Sequence, residues 1–132
     1  MHVFNTATEQ QFDAQRRLER VLASIVGGDV SLACWEPGQT SPFHCHPDAT
    51  EIYFCCEGGG VMRTPDRSVD VTPGSIIVHP PGEVHEYTNG TGVPCCSVYG
   101  MAKTCAHGPS LGPLIRLGSR APKTPNISAG TP

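Results

Sequence analysis

Four side chains in two short stretches of this 132-residue chain have the chemistry of a transition-metal ligand set. His44, His46 and Glu51 belong to the first stretch, and His85 belongs to the second. Three neutral imidazoles and one ionised carboxylate suit divalent iron, manganese, cobalt, nickel, copper or zinc, and the lack of a thiolate argues against a soft-metal site. Four protein ligands in an octahedral shell leave two positions for water, dioxygen or a chelating substrate.

The elements that position these residues are predicted to be short β-strands. Gly and Pro recur about every eight to twelve residues, with short apolar or alternating runs between them. This rhythm is typical of an all-β sandwich or barrel. Side chains two residues apart in a strand face the same side, so a strand over Phe43–His46 is expected to direct both of its histidines into one cavity. Glu51–Cys56 is predicted as the next strand, after a four-residue turn.

Two conformations compete near the N-terminus. Strands over Arg17–Ser24 and Val30–Glu36 would form a hairpin, whereas a capping box at Thr8–Gln11 would start a helix over residues 9–17. Further along the chain, the nearly continuous apolar run Ser75–His79 predicts a buried strand. The other predicted strands are Val61–Thr64, Val69–Val71 and Val84–Thr88.

The strand pattern weakens after Gly92. Val93–Tyr99 contains a proline and predicts a poor strand, and residues 101–132 are expected to be irregular or disordered. The predicted organisation is therefore an N-terminal arm (1–16), a barrel (17–100) and a tail (101–132). A shifted reading frame near residue 92 would also produce this abrupt change.

Composition narrows the function classes. The length suits one domain with one hydrophobic core, and no apolar run reaches the 18 residues of a membrane helix. The N-terminus lacks the basic start of a secretory signal, so we expect a cytoplasmic protein whose seven cysteines are reduced. The net charge of −3 divides into −7 before residue 87 and +4 after it. These spaced cations form no basic stripe, so neither a nucleic-acid nor a membrane partner is expected.

Glycines and a proline lie at fixed distances from the candidate ligands, and this spacing resembles that of a known family. The chain resembles the cupins, whose first motif is G(X)5HXH(X)3-4E(X)6G and whose second is G(X)5PXG(X)2H(X)3N. The positions that fill the first motif are Gly38, His44, His46, Glu51 and Gly58. Those that fill the second are Gly74, Pro80, Gly82, His85 and Asn89.

The resemblance implies a fold and a metal site. The implied fold is a small double-stranded β-helix (jelly-roll) barrel, often dimeric, in which the three histidines and the glutamate hold one divalent metal. A further strand after His85 must close such a barrel, and Val93–Tyr99 is a weak candidate for it. A second copy of the chain is an expected partner.

Cupins include enzymes and non-enzymes, so the fold does not name the reaction. The leading hypothesis is a metal-dependent, dioxygenase-like enzyme that acts on a small organic molecule. Glu51 and Tyr53 are the candidate catalytic residues, with Glu51 also accepting a proton. The alternatives are an isomerase or lyase that uses the metal as a Lewis acid, and a non-catalytic module that binds a metal or a small ligand.

Other side chains have weaker claims on the site. Tyr53 shares the strand parity of Glu51 and either lines the cavity or fills the barrel. Arg63 is a candidate for binding a substrate carboxylate, although an arginine on an exposed strand is usually only solvated. His79 precedes a proline turn and is not expected to be a ligand. The side chains expected mainly to fill the core are Trp35, Met62 and Tyr87.

Overall fold

The structure, a computed structural model, describes residues 1–103. Within that range the chain forms one short helix and nine strands. The helix is α1 (Thr6–Glu9), and the strands are β1 (Leu18–Ile25), β2 (Gly28–Trp35), β3 (Thr40–His44), β4 (Ala49–Glu57), β5 (Gly60–Arg63), β6 (Ser68–Val71), β7 (Ile76–His79), β8 (His85–Thr88) and β9 (Cys95–Lys103). No helix in this part of the chain is long and apolar enough to span a membrane.

The strands form two antiparallel sheets. One sheet has the order β1-β2-β9-β4-β7, and the other has the order β3-β8-β5-β6. The main core contains side chains from both sheets, with the Trp35 ring meeting the Tyr87 ring edge-on at a centroid distance of 4.7 Å. The all-β prediction is confirmed, and so is the expectation that Trp35, Met62 and Tyr87 are core residues.

The N-terminal hairpin is confirmed, and the helix over residues 9–17 is wrong. β1 pairs with β2 from Leu18 onward, and α1 covers only one turn before that. The Asn5 side chain caps α1 by accepting a hydrogen bond from the Ala7 N–H at 2.9 Å, and Gln10 already has an extended backbone. The helix therefore begins and ends earlier than the Thr8 capping box predicted.

The prediction that Ser75–His79 is a buried strand is also wrong. β7 is an edge strand of its sheet, and its side chains alternate between the solvent and the core. Ile76 and Val78 are 65% and 56% exposed, whereas His79 is 3% exposed. The apolar run therefore contributes to an uncovered outer face rather than to the core.

The closing strand, β9, is longer and more fully paired than the poor strand that the sequence predicted. β9 lies between β2 and β4 and pairs with β2 from Cys95 to Ala102 and with β4 from Cys96 to Lys103. Cys95, Cys96 and Ser97 are all buried, so neither an alternating pattern nor large apolar side chains mark this strand. β9 also continues three residues past the predicted barrel end at residue 100. Because this strand is present as far as Lys103, a missing closing strand no longer supports a shifted reading frame. The rest of the predicted tail lies outside the described residues.

Candidate metal centre

The second sheet brings two of the predicted ligands together. His44 at the end of β3 is the direct cross-strand partner of His85 at the start of β8, and their rings lie 4.4 Å apart. The Nδ1 of His44 lies 2.7 Å from the Pro42 carbonyl oxygen, and the Nδ1 of His85 lies 3.0 Å from the Glu83 carbonyl oxygen. A carbonyl only accepts, so Nδ1 carries the proton in both rings and Nε2 is available for a metal.

His46 reaches the site from a loop, not from the predicted strand. β3 ends at His44, and a register shift lies between Ser41 and His44. The Gly82 N–H donates to the His46 carbonyl at 2.9 Å, which ties this loop to the turn before His85. Gly82 has a φ of +80°, a conformation that favours glycine. The His46 ring lies 5.2 Å from that of His44 and 5.9 Å from that of His85.

Glu51 comes from the opposite sheet. It lies on β4, and the residue is 6% exposed. Glu51 Oε2 lies 2.8 Å from His85 Nε2 and 4.0 Å from His46 Nε2. The four predicted ligands, one carboxylate and three imidazoles, therefore meet between the two sheets.

The donor atoms fall into two groups that share His85. His44, His46 and His85 form one, which we call the outer group, and Glu51, His79 and His85 form the other, the inner group. Within each group the donor atoms lie within 4.8 Å of one another. Glu51 borders both groups through its contacts with His46 and His85. The structure thus adds His79, which the sequence did not suggest as a ligand.

Electrostatics prepare the site for a cation. Burial lowers the pKa of His46, which keeps this imidazole neutral near pH 7. Burial on its own raises the pKa of Glu51, but the hydrogen bond and charge of His85 outweigh it, so the pKa is lowered. Burial likewise opposes a charged His85, yet the bond to Glu51 and the Glu83 carbonyl raise its pKa. When His85 is protonated, its Nε2 pairs with the Glu51 carboxylate at 2.8 Å.

A cavity of about 120 Å³ opens onto the ligands. Tyr53, Trp35 and Met62 line it, as do side chains that the sequence analysis did not select. The Tyr53 hydroxyl is buried with no hydrogen-bond partner among the described residues, and burial raises its pKa. Tyr53 therefore stays protonated. Arg63 lies away from this lining and pairs with Glu86 across the sheet, 3.2 Å between Nη1 and Oε1.

A second carboxylate lines the same cavity. Glu19 on β1 pairs with Arg17, 2.7 Å between Oε2 and Nη1, and bonds the Tyr99 hydroxyl. Burial opposes its ionisation, but Tyr99 and Arg17 outweigh burial and lower the pKa of Glu19. Arg17 and Glu19 are two residues apart and so share a side of the chain, but nothing else in the sequence directs that side toward the metal ligands.

Comparison with known proteins decides the family. The family model of the cupin domain matches residues 31–98, more than half of the chain, and this stretch includes every predicted ligand. The chain belongs to the cupin domain family. Its two sheets are therefore the double-stranded β-helix barrel of a cupin, as the motifs predicted.

Solved structures share the fold of this cupin. TT1209 from Thermus thermophilus superposes with a TM-score of 0.74 at 19% identity, over 78% of this chain and 98% of that one. An uncharacterized double-stranded β-helix protein from Klebsiella pneumoniae gives 0.73 at 19% identity, over 81% and 94%. Germin-like protein subfamily 2 member 1 from Arabidopsis thaliana is 31% identical over 111 residues, 80% of this chain and 50% of that protein. The chain thus spans about half the length of this curated relative.

The residues of this cupin fit a divalent metal. Neutral or neutralisable imidazoles and a carboxylate converge, and their polar atoms are sheltered in one cavity. His79 Nε2 is buried with no hydrogen-bond partner among the described residues, and an unpaired buried nitrogen is costly unless something binds it. The donor chemistry is that of a borderline first-row cation.

Proposed function

We propose that this cupin is a metal-dependent enzyme that acts on a small organic molecule, with dioxygenase-type chemistry as its leading reaction class. The observation that carries the proposal is the convergence of His44, His46, Glu51 and His85 at one cavity that remains open to a further ligand. The proposed cofactor is one divalent first-row cation, and its contribution when bound is to polarise a substrate and to activate dioxygen.

The protein's own residues have distinct roles in this proposal. His44 and His85 hold their Nε2 atoms in place through the backbone carbonyls that accept from Nδ1. Glu51, besides ligation, is the base that can accept a substrate proton at Oε2. Tyr53 donates a hydrogen bond from its buried hydroxyl to a substrate oxygen, because its raised pKa keeps the hydroxyl protonated.

The cavity limits the size and charge of the substrate. Its volume of about 120 Å³ is well below that of a pocket for a drug-sized ligand, roughly 300 Å³ or more. Arg17 contributes one positive charge, and Glu19 and Glu51 contribute two negative charges. A divalent cation makes the sum positive, so the favoured substrate is a small anion or a small chelating molecule.

The Glu19 carboxylate favours a second candidate function. A lyase or isomerase that uses the metal as a Lewis acid also needs an acid/base group beyond the ligands. Glu19, with Tyr99 bonded to it, is such a group in the same cavity. Dependence of turnover on oxygen separates this candidate from the leading one.

Oxygen uptake tests the proposal. The metal-free protein is loaded anaerobically with Fe(II) or Mn(II) and mixed with small carboxylates, diketones and thiols in an oxygen electrode, with His85→Ala as control. Oxygen uptake matched by product, and lost in His85→Ala, is the expected result. Turnover without oxygen supports the Lewis-acid candidate. Tight binding with no turnover of any compound identifies a binding module and contradicts an enzyme.

The proposed assembly is a homodimer. Ile52 and Phe54 on β4 face Val78 and Ile76 on β7, and all four are exposed on the outer face of the larger sheet. Contiguous exposed apolar side chains are typical of interaction sites. β7 is also an edge strand, which offers unpaired backbone groups to a partner.

A further inference from the structure

Two cysteines form a close pair on the larger sheet, away from the candidate metal centre. Cys34 on β2 and Cys96 on β9 are direct cross-strand partners. They are 3% and 1% exposed, and their Sγ atoms lie 2.6 Å apart. Both carry free thiols. With Leu32 they form a small cluster that is separate from the main core, on the opposite face of the sheet.

The backbone around this pair suits a disulfide bond. Directly opposed residues of two antiparallel strands have Cα atoms roughly 4.5 or 5.5 Å apart, and disulfides join residues whose Cα atoms are roughly 4.4–6.8 Å apart. The Sγ separation of 2.6 Å exceeds the S–S bond length, about 2.0 Å, by only about 0.6 Å. The bond can therefore form without a change in the pairing of β2 with β9.

The N-terminal arm covers the pair, and a cavity beside the arm reaches one of the two thiols. Phe12 packs against the cluster, and the Gln10 Oε1 atom lies 3.4 Å from Cys96 Sγ. A cavity of about 170 Å³ is lined by residues of the arm, β1 and β2, including Cys34 but not Cys96. This volume is several times the roughly 30 Å³ that one water molecule occupies, so a small peroxide fits beside Cys34.

The thiol that lines the cavity is also the more readily ionised of the two. The hydrogen bond from Cys96 lowers the pKa of Cys34, and the Gln11 backbone N–H acts in the same direction, although burial opposes both. The pKa of Cys96 is raised, because its bond to Cys34 and its burial both favour the protonated thiol. Since the thiolate is the nucleophilic form of cysteine, Cys34 is expected to react first.

We propose that Cys34 and Cys96 are a redox-active pair that a small peroxide converts to a reversible disulfide between β2 and β9. The Cys34 thiolate attacks a peroxide oxygen, the O–O bond breaks, and Cys34 becomes a sulfenic acid while the departing hydroxide takes up a proton to form water. The Cys96 sulfur then attacks the Cys34 sulfur, and the S–O bond breaks. The hydroxide that leaves takes the Cys96 proton and forms the second water. Two thiols are thus oxidised and one peroxide is reduced.

The disulfide would hold the strand that closes the barrel. β9 carries Tyr99 and Met101, which line the metal-site cavity, and Met101 is the cross-strand partner of Glu51. The bond would join residues 62 positions apart, and a cross-link over a long loop stabilises a protein mainly by restricting the unfolded chain. Oxidation is therefore expected to stabilise the barrel around the candidate metal centre. This inference does not depend on the proposed function.

Peptide mass spectrometry after peroxide treatment tests the bond. The full-length protein is reduced, freed of reductant and treated with hydrogen peroxide in the presence of a chelator, which prevents metal-catalysed oxidation. The expected product is a cross-linked pair of peptides that contain Cys34 and Cys96, lighter than the two reduced peptides by two hydrogen atoms. The number of free thiols should fall by two, from seven to five, and dithiothreitol should restore them.

Variants separate the two steps of the reaction. Cys96→Ala should stop at a sulfenic acid on Cys34 that dimedone traps. Cys55→Ala, at a buried cysteine in the main core, is the matched control and should still form the cross-link. The urea midpoint of the wild type should rise on oxidation by about 1 M or more, with no rise in Cys96→Ala.

The peptide map of the wild type decides the proposal even if a variant fails to fold. A native protein that forms no link between Cys34 and Cys96 would overturn it. A link between another pair of cysteines in its place, or a Cys34–Cys96 link that forms only in urea, would also overturn it. None of these results would affect the proposed function, because the metal ligands take no part in the reaction.

Discussion

The His85 side chain connects the two donor groups of the candidate metal centre. Its Nδ1 bonds the Glu83 carbonyl, its Nε2 lies 2.8 Å from the Glu51 carboxylate, and its ring stacks on His79. Two opposing protonation states follow from this position. The ion pair with Glu51 needs a proton on His85 Nε2, whereas a bound metal needs that nitrogen free.

The pH dependence of stability should therefore differ with and without metal. Because the pKa of His85 is raised, its protonated form stabilises the folded protein; this stabilisation is complete below pH 6.5 and is lost as pH rises through the folded-state pKa. Because the pKa of Glu51 is lowered, its ionised form also stabilises the folded protein; this stabilisation is complete above pH 4.5 and is lost as pH falls through the folded-state pKa. The contribution of this pair to the free energy of unfolding of the metal-free protein should be largest between pH 4.5 and 6.5.

Urea unfolding of the metal-free protein across this pH range measures the effect. His85→Gln should flatten the profile, and metal affinity should rise with pH because His85 must release its proton. A wild-type profile identical to that of His85→Gln would show that the ion pair contributes nothing.

At the scale of the elements, the sequence predicted which residues line the site but not every element that carries them. Residue types and motif spacing selected His44, His46, Glu51 and His85 as candidate ligands, and in the structure all four line one cavity. The loop that carries His46 was not predicted, because its position depends on the backbone bond from Gly82. That contact joins residues far apart in the chain, and no local pattern records it.

The same limit explains the errors at β7 and β9. Apolar content indicates burial only when a neighbouring layer covers the strand, and none of the described residues covers Ile76 and Val78. β9 is buried on both faces where it starts but packs with small cysteine and serine side chains, so neither hydrophobicity nor period revealed it. His79 and Glu19 were missed because three-dimensional pairing, rather than a motif, brings them to the site.

Close packing at the start of β5 predicts a strong glycine requirement. A Cβ on Gly60 would lie 2.2 Å from the Thr88 carbonyl oxygen and 2.8 Å from the Tyr87 hydroxyl. Gly60→Ala should therefore lower the free energy of unfolding by about 3 kcal/mol, measured by urea unfolding. Gly90→Ala, where the added Cβ meets nothing within 4 Å, is the matched control and should change it by less than about 0.5 kcal/mol. Equal effects would contradict the packing of β5 against β8.

At the scale of the whole molecule, the barrel separates the candidate metal centre from the exposed apolar face through which we propose a homodimer. The cavity between the sheets holds the ligands, and the outer face of β4 and β7 is apolar and exposed. A homodimer through that outer face would leave the metal centre of each copy accessible. The fold was predictable at this scale because ten motif positions and the turn rhythm agreed, whereas no residue in the sequence records the partner.

Disruption of this outer face should separate the proposed dimer. Ile76→Lys places a charge in the exposed apolar patch, and light scattering at micromolar concentration should report a monomer for it and a dimer for the wild type. Val26→Lys, in the exposed turn between β1 and β2, is the control and should remain dimeric. A wild-type protein that is already monomeric would contradict the proposed assembly.

Metal content measured by mass spectrometry tests the central claim most directly. The protein is purified without an affinity tag or chelator, alongside His85→Ala, which removes the donor common to both groups, and His2→Ala as control. We predict about one equivalent of a divalent first-row metal per chain in the wild type and His2→Ala, and far less in His85→Ala. A wild-type protein that contains no metal and takes up none on titration would contradict the metal centre.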